Sequence, residues 1–165
     1  MEQLIQLYRE YAGEDAQSCT PLQGAGSNRK YYRLLGRAGK SVVGVVGTSR
    51  DENHAFCYLA RHFCLCRLPV PKVLAASGDG LRYLQTDLGD LTLFQALEGG
   101  RMAHGRYNQH ERELLRRTMA LLPSIQIRGA RGLDFTQCYP QEELDTTSVL
   151  FDLNYFKYCF LKATG

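Results

Sequence analysis

The residues most able to do chemistry lie in a glycine-rich run, Gly24-Ala25-Gly26-Ser27-Asn28-Arg29. Glycines carry no Cβ, so their backbone N–H groups can come close to phosphate oxygens, and a turn of this composition between two strands can cradle an anion or simply reverse the chain. Two better-known phosphate motifs do not fit. Gly39-Lys40-Ser41 has the tail of a P-loop, but Leu34 stands where the first glycine belongs, and a valine-rich strand follows in place of a helix. In the dinucleotide pattern Arg29 occupies the third glycine position, again with a strand after it.

Metal and nucleophile chemistry find less support. His62, Cys64 and Cys66 fall in a helical stretch, where residues two apart point about 200° from each other. One ion therefore does not reach both cysteines, although His62 and Cys66 share a face. The six cysteines have no secreted-scaffold spacing and are expected as free thiols. No Gly-x-Ser-x-Gly elbow occurs, and His54, His62, His104 and His110 lack an identifiable nucleophile partner.

The elements that must position these residues follow from periodicity. Leu4, Ile5, Leu7, Tyr8 and Tyr11 predict a helix over 2–12, stopped at Gly13. Between Cys19 and Gly47 three antiparallel strands are predicted, including the aromatic run 30–35 and the β-branched run 41–46, with 36–39 as the turn between the last two. Ser49 or Asp51 can cap a helix over 52–67 whose inner face is Phe56, Leu59, Ala60 and Phe63. Pro69 and Pro71 end it. Two strands, 73–76 and 81–85, flank the hairpin signal Gly78-Asp79-Gly80. Helices are predicted over 91–97 and 108–122, the second with Glu111, Arg112, Glu113, Arg116 and Arg117 on a solvated face, then a loop over 129–140 and a helix over 146–163 that is apolar almost all round. The fold class is α+β: a five-stranded antiparallel sheet with one packed helix over 1–90, then helices over 91–165.

Composition narrows the function classes. A chain of 165 residues with 44% apolar and 22% charged residues can build a globular core. Its net charge of +3 comes from scattered residues without a basic tract, which argues against nucleic-acid binding. No run approaches the roughly 20 apolar residues of a membrane span, and the opening Met1-Glu2-Gln3 is unlike a signal peptide, so a cytoplasmic protein is expected.

The order of elements, together with 26–34 (GSNRKYYRL), 68–74 (LPVPKVL) and 84–90 (LQTDLGD), resembles the N-terminal lobe of the protein-kinase-like phosphotransferases that include aminoglycoside and choline kinases, nearest to the N-acetylmuramate/N-acetylglucosamine kinase branch. The resemblance is clearest over 24–94. It implies that Gly24, Gly26, Ser27, Asn28, Arg29 and Lys30 lie against the phosphates of ATP and that Gln85, Thr86, Asp87 and Leu88 contact adenine. It also implies an acid early in the helix after strand three, here Glu52 with Asp51 and Asn53 as neighbours, that orders a phosphate-binding lysine. Magnesium and a sugar or amino-sugar acceptor are implied as well.

Two departures accompany the resemblance. Strand three has no lysine in any register, and no His-x-Asp loop or later metal-binding Asp motif follows. The chain is therefore expected to be the nucleotide-holding N-terminal part of a kinase, incomplete for catalysis; the alternative is a kinase-like association module. Strand alternation puts Arg29 and Arg33 on one face and Lys30 on the other, and one of these is expected to replace the missing lysine. Self-association is expected through 149–161, whose apolar side chains surround the helix.

Overall fold

Short-range patterns account for each element of the first 90 residues. In a computed structural model that describes residues 1–23, 28–37 and 39–163, α1 spans Glu2–Ala12 and buries Leu4, Leu7 and Tyr8. It ends where Gly13 takes a φ of 70° and donates its N–H to the Arg9 carbonyl, a left-handed cap that glycine adopts without strain.

Strands β1 (Ser18–Pro21), β2 (Lys30–Leu35), β3 (Ser41–Val46), β4 (Val73–Ala76) and β5 (Arg82–Thr86) form one antiparallel sheet in the order β1-β2-β3-β5-β4. Successive strand residues point to opposite faces, so the sheet has two cores. Leu34, Val42 and Leu84 pack with Leu4, Leu7 and Tyr8 of α1 on one face. Val43, Val45 and Tyr83 pack with Cys57 and Phe56 on the other.

Those last two residues belong to α2, Arg50–Leu65, which starts at Ser49, whose Oγ accepts the Glu52 N–H at 3.2 Å. The helix turns Asn53, Ala55, Cys57 and Ala60 fully inward, while Phe56, Leu59 and Phe63, expected as the inner face, are half-buried. Small side chains let the helix axis approach the sheet, and the rings lie along its flanks. Phe56 stacks on Tyr83 with centroids 4.8 Å apart. The approach is closest at Gly47, where a Cβ would lie 2.4 Å from Asn53 Oδ1. On the opposite face, a Cβ at Gly44 would meet Leu34 and Leu4 at 2.7 and 2.9 Å, so β3 accepts α1 only because it carries glycine there.

The β4–β5 turn uses one of its two glycines in the left-handed region, Gly80 at φ 71°. Asp79 does the remaining work. It accepts hydrogen bonds from Ser77 Oγ and the Leu81 N–H, and these bonds, Ser77's first, hold its carboxyl at about 2.

Beyond the sheet, α3 (Leu93–Ala96), α4 (Glu98–Met102) and α5 (Gln109–Pro123) run into a π-helical turn at Ser124–Arg128. Glu111, expected on the solvated face of α5, is instead buried. Its carboxylate accepts the N–H groups of Gly100 and Asn108, each at 2.8 Å, while Asn108 Oδ1 accepts the Glu111 N–H. This capping box also satisfies the short helix α4, which explains why a charge is tolerated inside.

The chain divides into two compact units, Met1–Leu133 and Asp134–Gly165. The second holds a 3₁₀ turn at Phe135–Gln137 and α6, Thr146–Phe156, which passes into a π-helical turn at Lys157–Leu161. Asp145 caps α6 by accepting the Ser148 N–H at 2.8 Å, which draws its carboxyl below the usual range. Among the described residues no helix is long and apolar enough to cross a membrane.

Candidate functional site

The α2 face of the sheet carries Tyr31, Arg33, Val43 and Gln85, because alternation from Arg29 puts Tyr31 and Arg33 on the same side and the β2–β3–β5 register adds Val43 and Gln85. Just before β2, Arg29 meets α2. Its Nη2 lies 3.0 Å from Glu52 Oε1 and donates to the Glu52 carbonyl at 3.1 Å. The guanidinium sits 5.4 Å from the centroid of the Phe56 ring, a cation–π contact that adds to its confinement. The Arg29 side chain is 11% exposed and that of Glu52 33%. Among positions 51–53, Glu52, the expected acid, is the one that pairs with Arg29. Asp51 is exposed, and Asn53 donates from Nδ2 to the Gly80 carbonyl at 3.0 Å.

Arg33 ties β2 to the segment after β5. Its Nε and Nη2 hold the two carboxylate oxygens of Asp87 at 2.5 and 3.0 Å, a two-pronged pair, and its Nη1 reaches Asp90 at 2.5 Å. The Arg33 hydrogen bond, foremost among several causes, holds the Asp87 carboxyl at about 2. The connector is further set by Gly89, which takes φ 88° and donates to Asp87 Oδ1 at 2.9 Å. Thr86 adds two bonds to Lys72, its N–H donating to the Lys72 carbonyl and its Oγ1 accepting the Lys72 N–H.

The same face holds a cleft of about 340 Å³, lined by Leu22, Tyr31 and Val43 and by the connector from Gln85 to Gly89. Gln85 brings a buried Oε1 with no hydrogen-bond partner among the described residues. The volume is at the small end of the range for ligand clefts, and apolar walls with a few fixed polar groups are their usual lining. No protein-family model matches the chain, and no curated protein matches it in sequence. The chemistry of the cleft is therefore read from its own residues.

The expected site residues separate into three groups. Gln85, Thr86, Asp87 and Leu88 line the cleft, and Arg29 and Glu52 form the ion pair on the same face. Lys30 is exposed, and its strand position puts it with Tyr32 and Leu34 on the α1 side; Asn28 is exposed ahead of β2. Gly24, Gly26 and Ser27 lie outside the described residues. Sequence reading missed the walls Leu22, Tyr31 and Val43 and the clamp from Arg33 to Asp87 and Asp90. Alternation carried forward from Arg29 would have found Tyr31, but Val43 and Asp87 needed the strand order.

Other candidates carry less. Cys66 Sγ lies 3.6 Å from His62 Nε2, which also contacts the Gly129 carbonyl at 2.8 Å, and among the described residues no three His, Cys, Asp or Glu side chains gather for a metal. A larger depression of about 720 Å³ in the second unit is lined by Phe135, Leu144 and Phe151 with Glu142, Glu143 and Asp152 and no basic residue, which does not suit an anionic ligand.

Proposed function

We propose that the sheet unit binds ATP as the N-terminal lobe of a kinase-like small-molecule phosphotransferase working in the cytoplasm. The base would enter the cleft against Leu22, Tyr31 and Val43, with the connector Gln85 to Leu88 along its edge. The phosphates would extend towards the glycine-rich run. The observation that carries this reading is the apolar cleft between three strands and a clamped connector, on the face that also bears the Arg29–Glu52 pair. A flat base needs such a slot, and a polyphosphate needs a fixed cation beside it.

Magnesium fits this lobe only as a companion of the nucleotide. With no group of three or more His, Cys, Asp or Glu side chains that could hold a metal among the described residues, the ion would be held by phosphate oxygens and water, as magnesium commonly is. The acceptor in this reading is a hydroxyl of a sugar or amino sugar. No His-x-Asp loop is present in the chain, so binding without transfer is the expected behaviour.

Calorimetric titration with ATP and magnesium is the direct test, and Leu22→Trp, at a half-buried wall of the cleft, should abolish the heat of binding while leaving the melting profile cooperative. Unaltered binding by that variant would remove the cleft from the reading. A second reading, a kinase-like association module that binds no nucleotide, is favoured by the absence of lysine from β3. Absence of any ATP binding by the wild-type chain would favour it.

A further inference from the structure

We propose that the groove between α2 and the β4–β5 hairpin binds a small hydroxycarboxylate, whose hydroxyl bonds Asn53 and Tyr83 and whose carboxylate meets Arg61. The groove holds about 270 Å³ and shares no lining residue with the cleft at the connector, so it is independent of nucleotide binding. Asn53, Cys57 and Arg61 line it from α2, four residues apart and so on one face of the helix, and Ala76, Gly80 and Tyr83 line it from the hairpin.

Two of these side chains are incomplete. Asn53 is 2% exposed and Tyr83 1%, yet Asn53 Oδ1 and the Tyr83 hydroxyl are both buried without a hydrogen-bond partner among the described residues. Turning the amide over does not cure this, because Nδ2 donates to the Gly80 carbonyl at 3.0 Å, and a carbonyl has no proton to give to Oδ1. Native folds rarely leave such atoms unpaired, so two of them on residues lining one groove mark a place where another molecule supplies the bonds. An alcohol has both functions required: its O–H donates to Asn53 Oδ1, and its oxygen accepts from Tyr83.

The charges along the groove select the rest of the ligand. No Asp or Glu is among its described lining residues. Arg82 is taken by Asp79, whereas Arg61 and His54 are exposed. Arg61 favours a carboxylate, which can take two of its N–H groups, and disfavours an ammonium group of its own sign. The volume falls just below that of clefts for drug-sized ligands, which limits the guest to a few carbon atoms.

Protein NMR on the whole chain tests this by titration with lactate and malate, and with propionate and succinate, which lack only the hydroxyl. The side-chain amide of Asn53 and the backbone N–H groups of 78–80 should shift and saturate with at least one hydroxy acid at a Kd of about 1 mM or below. Its counterpart without the hydroxyl should bind at least about tenfold more weakly. Tyr83→Phe should weaken the hydroxy acid by about 3- to 10-fold and leave the unfolding midpoint equal or higher, because it deletes a buried hydroxyl that no described protein group satisfies. Arg61→Ala, at an exposed position, should weaken it by about 2- to 5-fold with the midpoint unchanged. Absence of saturable shifts with both hydroxy acids at about 20 times that Kd overturns the proposal and leaves ordered water as the partner of the two atoms. Equal binding of the acids that lack the hydroxyl overturns it too, as does a Tyr83→Phe variant that melts earlier while binding the hydroxy acid as wild type does.

Discussion

The sheet unit and α6 are both rich in apolar residues, yet one has a core and the other does not. In the sheet, period-2 alternation sends Leu34, Val42 and Leu84 towards α1 and Val43, Val45 and Tyr83 towards α2, so each apolar side chain meets another element. In α6 and the turn after it, apolar residues occupy every side of the helix. None is buried, and their exposure runs from 41% at Val149 to 68% at Phe151. Apolar content becomes stability only when its period matches a surface that can receive it.

The largest effect that would test this contrast is truncation of a core leucine. Leu84→Ala should cost about 2 to 5 kcal/mol in urea denaturation, because it opens a cavity in the α1 face of the sheet. Leu153→Ala should stay within about 0.5 kcal/mol. Equal losses would mean that α6 is packed in solution and would end the comparison.

A second effect concerns how the exposed helix behaves. Its apolar surface exceeds what isolated surface residues require, so the wild-type chain is expected to self-associate at high concentration through 149–161. Paired substitutions Leu153→Glu and Phe156→Glu should lower the average mass by light scattering while leaving the unfolding of the sheet unit unchanged. A monodisperse wild-type monomer would show that this surface is tolerated in water.

Capping offers a smaller and sharper comparison. Asn108 and Asp145 start their helices with the same chemistry, each accepting the N–H three residues on. Asn108→Ala should cost about 1 kcal/mol. Asp145→Ala should cost the sheet unit nothing, because the two units are separately compact. Differential melting of the two variants measures this.

The smallest effect is a pH dependence. Arg33 holds the Asp87 carboxyl at about 2, below the ordinary value near 4. A depressed carboxyl contributes stability that is present above its unfolded value and lost as pH falls through its folded value. The stability advantage of wild type over Asp87→Asn should therefore hold from neutral pH down to about 4, shrink steeply between about 4 and 2, and vanish below about 2. An advantage undiminished at pH 2, or a variant as stable as wild type at pH 7, would remove the charge from the clamp's role.

Much of the sheet unit was legible from sequence because its signals are local. The runs 30–35 and 41–46 emerge as strands with those bounds, and the helix over 2–12 ends at its glycine as expected. The helix after β3 begins and ends about two residues earlier than its periodicity suggested, since Ser49 caps it and Arg67 takes φ 56° beyond its end. Glu111 misled because a charged residue at the third position of a helix reads equally as surface charge or capping-box acid. Only the short helix α4, whose Gly100 N–H it accepts, decides between them.

What the sequence by itself determined is the type of the helices and strands in the first 90 residues and the alternation along β2, with Arg33, like Arg29 just before the strand, on one face and Lys30 on the other. These follow from dihedral preferences and side-chain period, which act over a few residues. Only the tertiary structure decided that Arg29 meets Glu52 and not Asp51 or Asn53, that Arg33 binds a carboxylate 54 residues away, and that Leu22, Tyr31 and Val43 wall one cleft with the connector. Those contacts depend on β5 inserting between β3 and β4. Strand order is chosen by how the whole set of apolar faces is best covered, a property no local stretch of the chain contains.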